Sequence, residues 1–474
     1  MQNILASRLF SPKWLRWCAH ALLLALLLVV WRNFTSRDVV PAMGGHTWPY
    51  SAYWITPRLA LDGHASVIYA GSSVYGPHID QLNVSADLLE VNLPTTWLPF
   101  LALALLPIDE AFHIWTVISL ACFIVGWLVL LWAVRLPLGV GLLLTTLVPF
   151  FEPVAENIDG QTYLAIFALV SISAVVGFTA NADATSRLRN ESRRRQVVGG
   201  VLLGVAGLFK LYYALVLALP ALIKRRYLFL ASAAITTTAA IVTTLWAWGL
   251  DPWARAIPLS LSWKDRPETV HTAYQTTNSL IGGLFRYEEE WSPVPVIHLP
   301  WLAESLWWLV TLTTVAITLL AIWRFGRRDE DGGRTTTPAW YLLGPSSIVP
   351  LASALAPIAE SYHYALCLFP AVVVVAVLYE AWRHRLAPAT RGEGNSPWAS
   401  LLVLSAALVL ALVLLGAQWN FNVARADGWE RLLHYPRLYG GLLLWLVSVL
   451  LLMRPAIITG LRWNSFRILG VSYN

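Results

Sequence analysis

GLFKLYYALVLALPALIKRR, residues 207–226, is the stretch on which the reading of this chain turns. Its end, Lys224-Arg225-Arg226, is a basic anchor of the kind that marks a membrane surface. Lys210 is different: it stands inside an apolar run, where an ionisable side chain is costly unless it meets water or a partner. A second basic run, Arg193–Arg195, precedes the stretch, and only residues 196–223 separate the two. One crossing would put the basic runs on opposite faces. The chain is therefore expected to go up and come back, in two legs of about 13 residues reaching about 20 Å each. Lys210 then sits at the apex, below the outer surface. A lysine snorkelling to the interface would explain it; so would a cation held for an anionic ligand such as a phosphate.

Composition sets the frame. The 474 residues are 57% hydrophobic and only 13% charged, against about 25% charged in soluble domains, and mean hydropathy is +0.60. This is the composition of an integral membrane protein, expected as a single membrane domain over residues 1–474. The net charge of +6 then reads as basic cytoplasmic loops, with no nucleic-acid partner implied. The basic residues and apolar run at the N-terminus read as an uncleaved first span. Cys18, Cys122 and Cys367 are too scattered for a disulfide or metal pattern.

Apolar segments near 17–32, 110–134, 162–180, 228–250, 301–323, 338–358, 364–381, 399–417 and 437–453 are long enough or nearly long enough to cross a bilayer. Shorter pieces lie at 95–107, 137–151, 197–209 and 211–223. Placing the basic clusters in the cytoplasm puts both termini inside, so the span number is even and twelve is expected. One short piece between 94 and 151 must then fail to cross. The outer side receives long loops at about 33–94 and 251–300, with short turns at 151–161 and 357–363 and a smaller loop at 418–436.

Those outer segments carry the candidate chemistry. In the first loop Asp38, His46, Arg58, Asp62, His64, His78, Asp80, Asp87 and Glu90 are ionisable. Its stretch Tyr50–Leu61 spaces aromatics as an amphipathic surface helix does. Glu156, Asp159 and Gln161 precede a span, and Gly160 permits close backbone approach. Asn278 and Arg286 flank a Gly-Gly turn, and an arginine fork suits phosphate. Glu360 and His363 stand three apart at the mouth of two spans. The chain has no P-loop, HExxH, GxSxG or dinucleotide fingerprint.

Taken in order, these motifs resemble glycosyltransferase family 87 of the C-type glycosyltransferase superfamily. The resemblance runs through YSAYWITPRLALDG with Arg58 and Gly63, the partial proline entry at Pro94 and Pro107, and Gly160-Gln161. It continues through GLFKLYY with Lys210, TNSLIGGLFR with Asn278 and Arg286, and APIAESYHY with His363. It implies an all-α polytopic C-type fold of about twelve transmembrane helices, some short or re-entrant. It also implies a hexosyltransferase at the outer face of a bacterial inner membrane. The donor would be a polyprenyl-phosphate sugar, mannose or an arabinofuranose, and the acceptor a glycolipid or cell-envelope polysaccharide. No cofactor or metal is expected. Gln161, Lys210, Asn278, Arg286, Arg58 and Glu360 would bind substrate. Lys210, Arg286 and His363 would face the leaving phosphate. The family's first-loop acid is missing at its usual place, GGHTWPY, so the base is Asp38, His46 or lost. A lipid-linked sugar transporter and an inactive lipid-binding relative are the competing readings; internal repeats would favour the transporter, and the chain shows none.

Overall fold

The computed structural model describes residues 12–82, 84, 92–179, 188–330, 337–386, 397–419 and 426–453, with two-residue strands at 467–468 and 471–472. Asp87 and Glu90 lie outside the described residues. The helices are α1 (Pro12–Phe34), α2 (Trp48–Leu61), α3 (Ser72–Asp80), α4 (Ile108–Val134), α5 (Leu138–Leu147), α6 (Glu152–Glu156), α7 (Tyr163–Phe178), α8 (Leu188–Phe209) and α9 (Leu211–Ile223). They continue as α10 (Tyr227–Trp248), α11 (Asp251–Ser262), α12 (Thr277–Phe285), α13 (Pro300–Glu330), α14 (Pro338–Ala354), α15 (Leu368–Leu386), α16 (Pro397–Gly416) and α17 (Pro436–Met453).

Among the described residues, seven helices are long and apolar enough to cross a membrane, or eight if the bent pair Leu138–Phe150 and Glu152–Asp159 is one span. The chain is a multi-pass helical membrane protein. The expected twelve crossings depend on the shorter or more polar α5, α7, α8, α9 and α14 as well.

Contacts at the helix ends define two faces. At the first, the Trp115 indole at the start of α4 donates to the Gly160 carbonyl before α7 (3.1 Å). Asn157 donates to the Tyr362 carbonyl before α15 (2.9 Å), and Gln275 to that of His434 before α17 (2.8 Å). At the other, Arg226 donates to the Gly177 carbonyl at the end of α7 (2.8 Å). Lys224 lies over the Phe325 ring on α13, 5.1 Å from its centre, and Thr337 donates to Glu380 on α15 (2.8 Å). The first is called the loop face, and the second, which carries the 193–195 and 224–226 clusters, the basic face.

The piece that fails to cross is 95–107. It forms 3-10 turns at Pro94–Phe100 and Leu103–Leu105, and the interior Pro99 removes a backbone donor that a continuous α-helix would need. Both its ends stay at the loop face: Thr96 donates to the Leu208 carbonyl (3.1 Å) and Trp54 to that of Leu106 (3.1 Å).

The 207–226 stretch folds back as its sequence requires. Lys210 is extended (φ −148°, ψ 100°) between α8 and α9. A β-carbon at Gly207 would stand 3.0 Å from that of Ala214, a contact that residues seven apart on one continuous helix cannot make. The legs are unequal, however. α8 has 22 residues and reaches about 33 Å, whereas the 13 residues of α9 reach about 20 Å, because helix already begins within the basic run. The glycines of α8 let α10 approach: a β-carbon at Gly200 would come 2.2 Å from the Phe229 carbonyl oxygen, and one at Gly204 2.6 Å from Thr236 Cβ. Small residues four apart serve such close crossings in membranes.

α2 corrects one expectation. The helix forms, but Tyr50, Tyr53, Trp54, Ile55, Leu59 and Ala60 are buried, so it is clamped inside the protein rather than laid on its surface. Ser51 and Thr56 tolerate this by bonding back to the Thr47 (3.1 Å) and Ala52 (2.9 Å) carbonyls. The Gly282-Gly283 pair also differs: it lies within helix α12, whose first turn is capped by Thr276 accepting from Ser279 N–H (3.0 Å). There Gly283 leaves room for the buried Arg431 guanidinium.

Candidate functional site

The break at Lys210 is the centre of a polar cluster at the loop face. The Lys210 ammonium donates to Asn92 Oδ1 at 2.8 Å. Asn92 is buried, and with Thr96 bonded to the Leu208 and Phe209 carbonyls it straps the end of α8. The Lys210 charge acts on both Glu360 and His363. His363 lies in the first turn of the 3-10 segment Ser361–Cys367, its N–H bonded to the Glu360 carbonyl (3.1 Å). Its ring packs on Tyr163 at 4.3 Å and Tyr362 at 4.6 Å. Among the described residues its buried Nδ1 has no hydrogen-bond partner. Gln161 accepts from the Tyr53 hydroxyl (3.2 Å), and Tyr163 and Tyr212 hydroxyls meet at 3.4 Å.

Four sequence-predicted residues thus converge: Gln161, Lys210, Glu360 and His363. Tyrosines 53, 163, 212 and 362, from four separate elements, wall them in. Burial, and then the charge of Glu156, raise the Glu360 carboxyl to about 7, against a bond from Tyr362 and the charge of Lys210. A carboxyl so placed can take up or release a proton near neutrality.

Asn278 and Arg286 form a flanking pair. Arg286 donates to Asn278 Oδ1 (2.9 Å), and Asn278 donates to the Pro357 carbonyl (3.3 Å). The neighbouring Gln275 N–H bonds the Ala359 carbonyl at 2.8 Å, which ties the pair's loop to Glu360. Burial lowers the Arg286 pKa, so its charge is held at a cost that an anion would offset.

The three first-loop candidates are not drawn into the cluster. Asp38 lies in the π-helical turn Thr35–Val39 that extends α1, 3.9 Å from the exposed Arg37. His46 is pinned to Asp109 by both its ring (2.7 Å) and its backbone N–H (2.9 Å). Arg58 pairs with Asp62 one turn on (3.1 Å) and reaches the Ala104 carbonyl (3.4 Å). The first loop still meets the site's edge, where Thr47 bonds the Asp159 carbonyl. Gly160 there has φ +89°, and Tyr50 lies so close that a β-carbon would stand 2.4 Å from it.

Sequence reasoning missed Asn92 and Arg437 altogether. Arg437 is buried at the start of α17 and pairs with Glu152 (2.6 Å) and Glu156 (3.4 Å). Glu156 also accepts from Ser361, so this network positions the Glu360 turn. Intramembrane charge without a neighbour in sequence was its only signal.

The sequence matches the model of glycosyltransferase family 87 over residues 92–353, more than half of the chain. The chain belongs to glycosyltransferase family 87, as its motifs suggested, and is a membrane glycosyltransferase. The match begins at Asn92 and contains Gln161, Lys210, Asn278 and Arg286; Asp38, His46 and Arg58 precede it, and Glu360 and His363 follow it. No curated protein matches the chain. Among solved structures it is similar to ArnT from Cupriavidus metallidurans in the apo state, with 15% identity over 93% of this chain and 77% of that one and a TM-score of 0.32.

Proposed function

We propose that this glycosyltransferase moves a sugar from a polyprenyl-phosphate donor to a lipid-linked or cell-envelope polysaccharide acceptor at the loop face, which faces away from the cytoplasm of a bacterial inner membrane. The observation that carries this reading is Lys210. The chain breaks between two helices at Lys210 and holds its ammonium at the loop face, in the polar cluster that contains Gln161, Glu360 and His363. As the glycosidic C–O bond to phosphate breaks, negative charge grows on the leaving phosphate, and a fixed cation there lowers the barrier. Arg286 is the second phosphate partner, and Asn278 aims it. Gln161 and the tyrosine walls suit sugar hydroxyls and faces.

The sugar is mannose on this reading, with arabinofuranose second. Asp38 and His46 stay in play as the base that takes the proton of the acceptor hydroxyl. Asp38 has the freer carboxylate, since His46 is already engaged by Asp109. Membranes carrying wild type, Asp38→Asn and His46→Ala are to be assayed with radiolabelled polyprenyl-phosphate mannose, then with the arabinose donor. Transfer by wild type from one donor, abolished in one variant, establishes donor and base together. Absence of transfer from both donors, with donor lipid still bound, refutes the proposed activity in favour of an inactive lipid binder or a transporter.

A further inference from the structure

A cleft of about 530 Å³ opens on the basic face, at the opposite end of the bundle from Lys210. It forms where α4 and α7 end against α8 and the start of α14. Its lining includes Trp132, Arg135, Leu136, Val175, Thr179 and Arg195. Arg135 leaves α4 in the left-handed conformation, φ 56°, and is exposed. Arg195 donates to Thr179 Oγ1 at 3.1 Å. Behind them the buried Arg226 is held by the Gly177 (2.8 Å) and Phe178 (3.2 Å) carbonyls, near enough for its charge and that of Arg195 to repel. Among the described residues none of these three arginines is paired with a carboxylate, and Glu380 at this face is taken by Thr337.

Guanidinium groups that converge with no carboxylate partner among the described residues match phosphate oxygens, which they grip in a fork. Apart from Thr179 the rest of the lining is apolar, and Trp132 is 77% exposed. Free phosphate would satisfy the arginines and leave that apolar wall uncovered. A phospholipid satisfies both, with its headgroup at the arginines and its chains along the helices; basic pockets between helices on this side of a membrane have that chemistry.

We propose that this cleft binds one anionic phospholipid by its headgroup phosphate. The site is separate from the transfer site and does not depend on the donor assigned above. The test is native mass spectrometry of the full-length protein in detergent, titrated with phosphatidylglycerol, phosphatidylcholine or inorganic phosphate. Wild type should retain one phosphatidylglycerol in preference to phosphatidylcholine. Arg135→Gln should bind it roughly five-fold more weakly, and Arg135→Gln with Arg195→Gln more weakly still. Because Arg195 also bonds Thr179, the exposed Arg135→Gln change decides the matter if the double variant fails to fold. Equal retention of phosphatidylcholine, displacement by inorganic phosphate at equal concentration, or undiminished binding by Arg135→Gln would each overturn the proposal.

Discussion

Glu360 shows how a residue's surroundings set its role. Its carboxyl titrates at about 7 instead of the ordinary 4.5, chiefly through burial. The folded protein therefore holds that proton more tightly than the unfolded chain. The stability this contributes is complete below the ordinary value and is lost as pH rises through about 7. Between pH 5 and pH 8 the thermal midpoint of wild type should fall relative to that of Glu360→Gln; a gap that does not change with pH refutes the assignment. Arg286 yields a second expectation. Asn278→Ala frees its guanidinium from the 2.9 Å bond that aims it, so transfer should drop by about tenfold or more while the protein still folds, and unchanged steady-state rates would remove the pair from the site. Lys210 was visible in the sequence because a lone charge in an apolar run is hard to place otherwise. Its partner Asn92 was not, because 118 positions separate them and an asparagine in an outer loop has no distinguishing pattern.

Helices carry a different kind of information. The α8–α9 hairpin was legible from two basic runs too close for one crossing, and its apex fell at Lys210. The failure of 95–107 to cross could be inferred by parity but not assigned, since it is as short and as rich in apolar residues as the neighbouring piece that holds α5. What separates the two is the interior Pro99 together with side-chain bonds to remote carbonyls. α2 was misplaced for a similar reason: aromatic spacing marks an apolar face without saying whether lipid or protein covers it. The close crossing of α8 and α10 depends on glycine. Gly200→Leu, whose side chain would enter the Phe229 backbone, should cost about 1–3 kcal/mol or more, read as a lower thermal midpoint in detergent. A midpoint equal to wild type would show that the helices are not so tightly joined.

The molecule as a whole is polarised. Its hydrogen-bonded loops, carboxylates and tyrosines gather at one face, and its arginine clusters at the other. Placing the basic face in the cytoplasm is the orientation that the charge distribution favours. In a Cys18→Ser background, Glu289→Cys should react with a membrane-impermeant thiol reagent from outside intact cells and Arg193→Cys only after lysis; the reverse pattern would invert the assignment. The central claim, that Lys210 is the cation for a departing lipid phosphate, is tested most directly by polyprenyl-phosphate release. Wild type, Lys210→Arg and Lys210→Ala would be compared in proteoliposomes supplied with the accepted donor. The account predicts release reduced by about 100-fold or more in Lys210→Ala and partly kept in Lys210→Arg. Release by Lys210→Ala at the wild-type rate would contradict it.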